Sequence, residues 1–417
     1  MFKKIVLKNK TNLFLIPLKD TKSATVLVMY PVGSRYESAK LAGVSHFIEH
    51  LMFKGTKKRP NTLALTREID RLGAEYNAFT SKEYTGYYIK TDSEYLNVSL
   101  DILSDMLFNS KFEEKEMEKE KKVIVEELRM YNDNPIMHIE TLFEDLMYKG
   151  DLGRDVGGSE KTVLGLARKD ALNYLSQHYQ TQRAIIAVAG NINENTKKLV
   201  EKYFVKSGKN TKSENYAPAE FGSTKTNDRL RIENKKTDQT QLMLGLPGFH
   251  HNDPVNPVLT VFNTVFGGSM SSRLFIQIRE KRGLAYMIRS GAESYRDTGY
   301  FFVRAGLEAK NINKAISVIK DEAEKIIKKG VTTKELADAK THLRGSLVLS
   351  MEDSSAQTSW YARQAMFYKV VKTPEERLKE IDKVTNEDIK KLAKKLFNWS
   401  KLRVAIIGDV KKEEIKF

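Results

Sequence analysis

The chain is predicted to fold as two homologous α+β domains, each a mostly antiparallel sheet packed with helices. Three observations carry this prediction: the length, an internal duplication, and strand pairs with short turns that are followed by amphipathic helices. At 417 residues the chain exceeds what one hydrophobic core normally holds, so two or three domains are expected. Hydrophobic residues at 41% and aromatics at 9% supply enough apolar surface for packed cores. A wholly disordered chain is excluded.

The duplication fixes the domain count at two. Asp170–Ile192 and Asp388–Val410 align without a gap at an offset of 218. Each reads as a helix with apolar residues at helical spacing, a short connection, and an apolar strand ending in Gly190 or Gly408. Thr85-Gly86-Tyr87-Tyr88 matches Thr298-Gly299-Tyr300-Phe301 at an offset of 213. Strand-like runs end in Pro31-Val32-Gly33 and in Pro247-Gly248. A period of this length means duplicated domains and not a solenoid. Between the halves, residues 206–228 are rich in Lys, Ser, Asn, Thr and Gly with no apolar period, which marks a linker. The predicted boundaries are 1–207, a linker at 208–228, and 229–417.

The elements follow in order. The first residues read as a strand, a turn at Asn9–Thr11 and a second strand, Leu13–Leu18. Tyr84–Thr91 is strand-like. Tyr95–Phe108 carries Leu96, Leu100, Leu103 and Leu107 on one helical face, and Glu113–Asn132 is a long charged helix with Met117, Ile124, Leu128 and Tyr131 on one side. Such alternation suggests α+β layers.

Composition narrows function mainly by exclusion. There is no Cys, which excludes a disulfide scaffold, a catalytic thiol, a thiolate zinc site and an iron–sulfur cluster. The formal net charge of +16 is spread along the chain and interleaved with acids, as in a Lys-rich solvated surface. No nucleic-acid-binding motif accompanies it, so no nucleic-acid partner is expected. Lys8 and Lys10 interrupt the first apolar stretch, so it does not read as a signal peptide. No run approaches a membrane-spanning length. The expectation is a cytoplasmic protein without a membrane partner.

The chemistry lies at residues 46–50, His-Phe-Ile-Glu-His, inside a helical segment that Gly55 could end. His46 and His50 are one turn apart on one face, a spacing that suits two ligands of one zinc ion. Glu49 follows His46 by three residues on the same side, within reach of a water at the metal as general base. Val44, Phe47, Ile48, Leu51, Met52 and Phe53 make the helix a buried one, where unpartnered imidazoles and a carboxylate are costly. The order is that of an inverted HExxH motif. A third ligand is needed, and the helix 113–132 offers Glu120, Glu126 and Glu127. Glu120 and Glu127 share a face, and Glu126 is rotated away by about 100°. Spacing alone does not choose among them. The other histidines, His138, His178, His250, His251 and His342, have no ligand spacing to the motif and read as structural.

HFIEHLMFKGT, NAFTSKEYTGYY (77–88) and EKEKKVIVEEL (118–128) together resemble the pitrilysin-type, or inverzincin, metallopeptidases, in the short-chain branch that includes the mitochondrial and bacterial processing peptidases. The resemblance extends to GGSMSSRLFIQIREKRGLAYMI (267–288) and so covers nearly the whole chain. It implies half of an insulysin-like clamshell, in which two chains close into a chamber. It also implies a zinc endopeptidase acting on peptides or extended polypeptide segments, as a homodimer or as a heterodimer with a related chain. The family spacing from His-x-x-Glu-His to the third ligand is met with 76 residues between His50 and Glu127. That register implies Glu127 as ligand, Glu120 as the group that orients the site, and Glu126 as the register alternative. One zinc per chain is implied, because the second half has no HxxEH. Arg279 and Tyr286 match the family pair that contacts substrate and helps stabilise the reaction centre. Asn77, Ala78 and Phe79 match the edge strand that captures substrate. A non-catalytic partner or scaffold subunit is the alternative, although such members usually lose motif residues that are all present here.

Overall fold

A computed structural model describes residues 2–205 and 216–417. The duplicated segments fold alike. Helix Arg168–His178 leads into strand Ile185–Gly190, and helix Asn386–Leu396 leads into strand Arg403–Ile407. Both strands are wholly buried, as the apolar runs Ile185–Gly190 and Val404–Ile407 dictate, and Arg403 at the start of the second is buried with them. Of the predicted linker, residues 208–215 lie outside the described residues. Beyond them Glu220–Phe221 pair with Tyr148–Lys149 as a two-stranded ribbon.

Two compact units result, and they depart from the contiguous halves 1–207 and 229–417. The first comprises Met1–Arg129, Arg154–Ala217 and Leu349–Val371; the second comprises Met130–Gly153, Pro218–Val348 and Lys372–Phe417. The reason is that each sheet buries both faces, and each finds the cover for one face in a helix from the other half of the sequence.

In the first unit the six-stranded sheet runs, edge to edge, Lys3–Val6, Asn12–Pro17, Ile185–Gly190, Ser23–Tyr30, Thr85–Asp92 and Glu75–Thr80. Only the pair Asn12–Pro17 with Ile185–Gly190 is parallel. Strand Ser23–Tyr30 shows why both faces need cover, because successive side chains alternate between them. Val26, Val28 and Tyr30 pack with Phe47, Leu51, Leu100 and Leu103. Leu27 and Met29 pack with Tyr361, Ala362 and Phe367 of helix Ser354–Phe367.

The second unit repeats the plan with five strands: Ala285–Ser294, Gly299–Leu307, Thr240–Pro247, Arg403–Ile407 and Leu230–Glu233. Again one pair is parallel, Arg403–Ile407 with Leu230–Glu233. Leu242, Leu244 and Leu246 face Phe262, Phe266 and Ile316. Met243, Ala405 and Ile407 face Ile139 and Phe143 of helix Pro135–Met147. Gly245 makes that packing possible: a Cβ there would lie 2.2 Å from the Phe143 ring. No helix among the described residues is long and apolar enough to cross a membrane.

Candidate metal centre

The motif forms the helix Val44–Leu51. It ends at Leu51, and Gly55, with φ of 115°, lies in the turn beyond it. Val44, Phe47, Ile48 and Leu51 recur at one face and are fully buried in the core. That anchoring turns His46, Glu49 and His50 to the opposite side. The second contributor is helix Glu114–Asp133, held to the core by Met117, Ile124 and Val125.

Three donor atoms converge. His46 Nε2 and His50 Nε2 are 3.2 Å apart. Glu127 Oε2 lies 3.4 Å from His50 Nε2 and 3.8 Å from His46 Nε2. A tetrahedral zinc with bonds of roughly 2.0–2.2 Å would set its ligand atoms roughly 3.3–3.6 Å apart, so these three fit three corners of its shell. This is also the single group of three His or acidic residues placed to hold a metal ion among the described residues. Glu126 points elsewhere; it is mostly exposed and pairs with Arg129 at 2.7 Å. Of the two neighbours, it is Glu127 whose carboxylate lies beside the imidazoles.

Glu120 is buried and bridges two basic side chains. Its Oε1 accepts from His50 Nδ1 at 2.8 Å and its Oε2 pairs with Lys54 Nζ at 2.5 Å. With Nδ1–H donating to the carboxylate, His50 presents the Nε2 lone pair, the form a metal requires. His46 has no such partner among the described residues; its Nδ1 is buried and unpaired, with Gly157 behind it.

The titrations reflect the same geometry without a metal. Burial, then the His50 charge, lowers His46 to about 4, against an opposing pull from Glu127. Burial also works against His50⁺, but hydrogen bonds and charge from Glu120 and Glu127 overcome it and push His50 up to about 9. Glu127 is held below the usual carboxylate range by its hydrogen bond to His50. Burial raises Glu49, and a hydrogen bond from the Thr80 hydroxyl partly offsets the rise.

Strand Glu75–Thr80 is the sheet edge beside this helix. Its register with Thr85–Asp92 and the closing bond from Ser81 N to Tyr84 O at 2.8 Å leave Tyr76, Ala78 and Thr80 with backbone groups pointing away from the neighbour. Asn77 Oδ1 accepts from the Ala78 N–H at 2.9 Å. Phe79 points to the other face, with its ring over Gly86. Arg279 and Tyr286 belong to the second unit and are neighbours: the guanidinium lies 5.2 Å from the Tyr286 ring and 4.8 Å from Phe275. Tyr286 is 71% exposed. Outside the motif, His138 meets Glu233 at 2.9 Å and the His178 ring lies tilted against Tyr174, both ordinary structural settings.

Sequence reasoning missed Thr80 and Lys54. Thr80 stands at the end of the Asn-Ala-Phe-Thr run, and Lys54 follows His50 by one helical turn. Both signals were present but carried no chemistry until the contacts were known.

Residues 14–160 match the model described as insulinase, peptidase family M16, and residues 165–343 match the peptidase M16 inactive domain. An uncharacterized zinc protease of Bacillus subtilis is 35% identical over 398 residues, covering 95% of this chain and 96% of the relative. The chain belongs to the M16 peptidase family. Other M16 relatives agree. An uncharacterized zinc protease of Streptomyces coelicolor is 34% identical, covering 95% of this chain and 87% of its own. The fold matches solved structures too. A protease from Helicobacter pylori superposes with a TM-score of 0.90 at 22% identity, covering 98% of this chain and 99% of that one. A peptidase M16 inactive domain from Pseudomonas fluorescens gives 0.87 at 18%, covering 98% of each. Membership supports a zinc peptidase at the level of the family. The HxxEH motif lies in the segment matching the first model, and the segment matching the inactive domain has none.

Proposed function

We propose that this protein is a zinc-dependent endopeptidase that hydrolyses peptides or extended polypeptide segments. The observation that carries the proposal is the convergence of His46 Nε2, His50 Nε2 and Glu127 Oε2 at 3.2–3.8 Å, with the buried Glu49 on the same helix. His46, His50 and Glu127 would hold the metal, and Glu120 would keep His50 in the ligating tautomer. A zinc ion bound there supplies Lewis-acid polarisation and makes water a competent nucleophile near neutral pH.

The remaining steps belong to side chains. The Glu49 carboxylate takes the proton from the attacking water and returns it to the leaving amine. Its raised pKa suits both roles, since a stronger base accepts more readily and its acid still donates. Thr80 fixes one oxygen of that carboxylate, which aims the other. The outward-facing edge at Tyr76, Ala78 and Thr80 supports binding of an extended peptide by strand addition, with Asn77 exchanging its bond to the Ala78 N–H for one to the peptide backbone and Phe79 packing beside it. Arg279 and Tyr286 are read as donors to the substrate or its developing oxyanion. In the two-chain chamber implied by the family, they come from the partner of a homodimer or heterodimer.

The test compares wild type with Glu49→Gln for bound zinc and for cleavage of a mixed peptide library. Glu49→Gln should retain stoichiometric zinc and lose turnover by roughly 10²–10⁴-fold. A wild type without zinc, or a variant that cuts equally well, would overturn the proposal.

A further inference from the structure

The metal-bearing helix lacks a cap from its own first residue. Gly43 occupies that position in a left-handed conformation, φ 94°, and has no side chain to offer. The first-turn amides of a helix need acceptors, and a buried start without them is costly. Here a remote residue supplies two, one to the cap amide and one to a first-turn amide. Glu37 Oε2 accepts from Gly43 N at 2.7 Å and Glu37 Oε1 accepts from Ser45 N at 2.8 Å. Glu37 is 2% exposed, and its own carbonyl accepts from the Arg154 guanidinium. The carboxyl group thus clasps the helix through both oxygens; burial pushes its pKa up to about 7 against the bonds from Ser45 and Gly43 and the Arg154 charge, and in its ionised form it has the favourable sign for a helix N-terminus.

The two amides it holds flank Val44 and immediately precede His46. A shift or rotation of this turn moves His46 directly. No carboxylate holds His46 Nδ1, in contrast to His50 Nδ1 with Glu120. The setting of the first turn is therefore what aims its Nε2 at the other two donors.

We propose that Glu37 is a positioning residue for the metal centre, which it aligns by holding the backbone of Gly43 and Ser45. This rests on the reading of His46, His50 and Glu127 as metal ligands. Gln cannot replace the carboxylate, because its amide NH₂ would face a backbone N–H with no acceptor. Asp retains the charge but is one methylene shorter and cannot reach both amides without moving the helix.

The experiment uses Co²⁺ as probe, since its visible absorption reports coordination geometry, together with zinc competition titrations. Glu37→Gln should bind zinc roughly tenfold or more weakly, the scale typical for groups behind a ligand, and should change the cobalt spectrum. Glu37→Asp should change it in the same direction. Asp105→Asn is the control: Asp105 is equally buried and bound by Thr56, Arg59 and Asn109. It should lower thermal stability and leave the cobalt spectrum unchanged. An unchanged spectrum and zinc affinity in Glu37→Gln, or an equal spectral change in Asp105→Asn, would overturn the proposal while leaving the metal centre intact. A wild type that takes up no cobalt or zinc would overturn both. If the Glu37 variants do not fold, amide exchange in the metal-free wild type decides. Gly43 and Ser45 should exchange as slowly as core amides, and exchange at the rate of frayed helix ends refutes the clasp.

Discussion

Glu120→Leu, which keeps the bulk of the side chain but has no acceptor, separates two opposed effects of one carboxylate. In the metal-free protein Glu120 and Glu127 push His50 up to about 9. The sign follows directly: below that pH the imidazole holds a proton that zinc must displace. At pH 7 the gap of about two units reduces apparent zinc affinity by roughly a hundredfold. Removing the Glu120 charge relieves part of that competition. Against this stands the direct loss of the 2.8 Å bond to Nδ1–H, which orients the ring and raises the basicity of Nε2. A hydrogen bond to a charged group contributes roughly 1.5–3 kcal/mol, which corresponds to about 10–100-fold in affinity. Above pH 9 only the second effect survives. The variant should therefore bind zinc about 10–100-fold more weakly at pH 9.5 and show a smaller deficit at pH 7. Competition against a chromophoric chelator at several pH values measures the ratio. A deficit that stays flat or shrinks as pH rises would refute the reasoning, as would wild-type affinity at pH 9.5.

Two further outcomes follow from contacts around the site. Thr80→Val removes a hydrogen bond that lowers the Glu49 pKa, so the carboxyl should titrate higher and the acidic limb of the pH–rate profile should move to higher pH; a limb that stays put or moves down counts against Glu49 as the base. Gly33→Ala would place a Cβ 2.0 Å from the Ser81 carbonyl oxygen and 2.8 Å from Lys82 C. Both are backbone and cannot rotate away, so urea unfolding should show a loss of about 1–3 kcal/mol, and a neutral result would mean the loop 31–36 relaxes freely.

The duplication was legible because strands and helices recur at near-constant offset, and Ile185–Gly190 and Arg403–Ile407 differ in their starts by the same 218 residues. The motif helix was legible for a similar reason, since Val44, Phe47, Ile48 and Leu51 mark one face and leave His46, Glu49 and His50 on the other. Singling out Glu127 needed the family register, because Glu120, Glu126 and Glu127 are chemically alike and only tertiary contact separates them. Helix exchange was not legible. Nothing in SSAQTSWYARQAMF says which sheet Tyr361 and Phe367 will cover. Glu37 was hidden for another reason: its partners are backbone amides, which have no signature in side-chain spacing.

The exchange of helices has a consequence for the order of synthesis. Strand Ile185–Gly190 completes the first sheet, and helix Val44–Leu51 with its neighbours can close over one face once Phe204 is made. The other face, with Phe14, Leu27, Met29 and Ala187, waits for Tyr361, Ala362 and Phe367. At about 5–20 residues per second that wait lasts roughly 10–30 s. A nascent chain of intermediate length thus carries a finished face beneath His46 and His50 and an uncovered apolar one. Its yield in a cell depends on what shields that surface while the rest of the chain is translated.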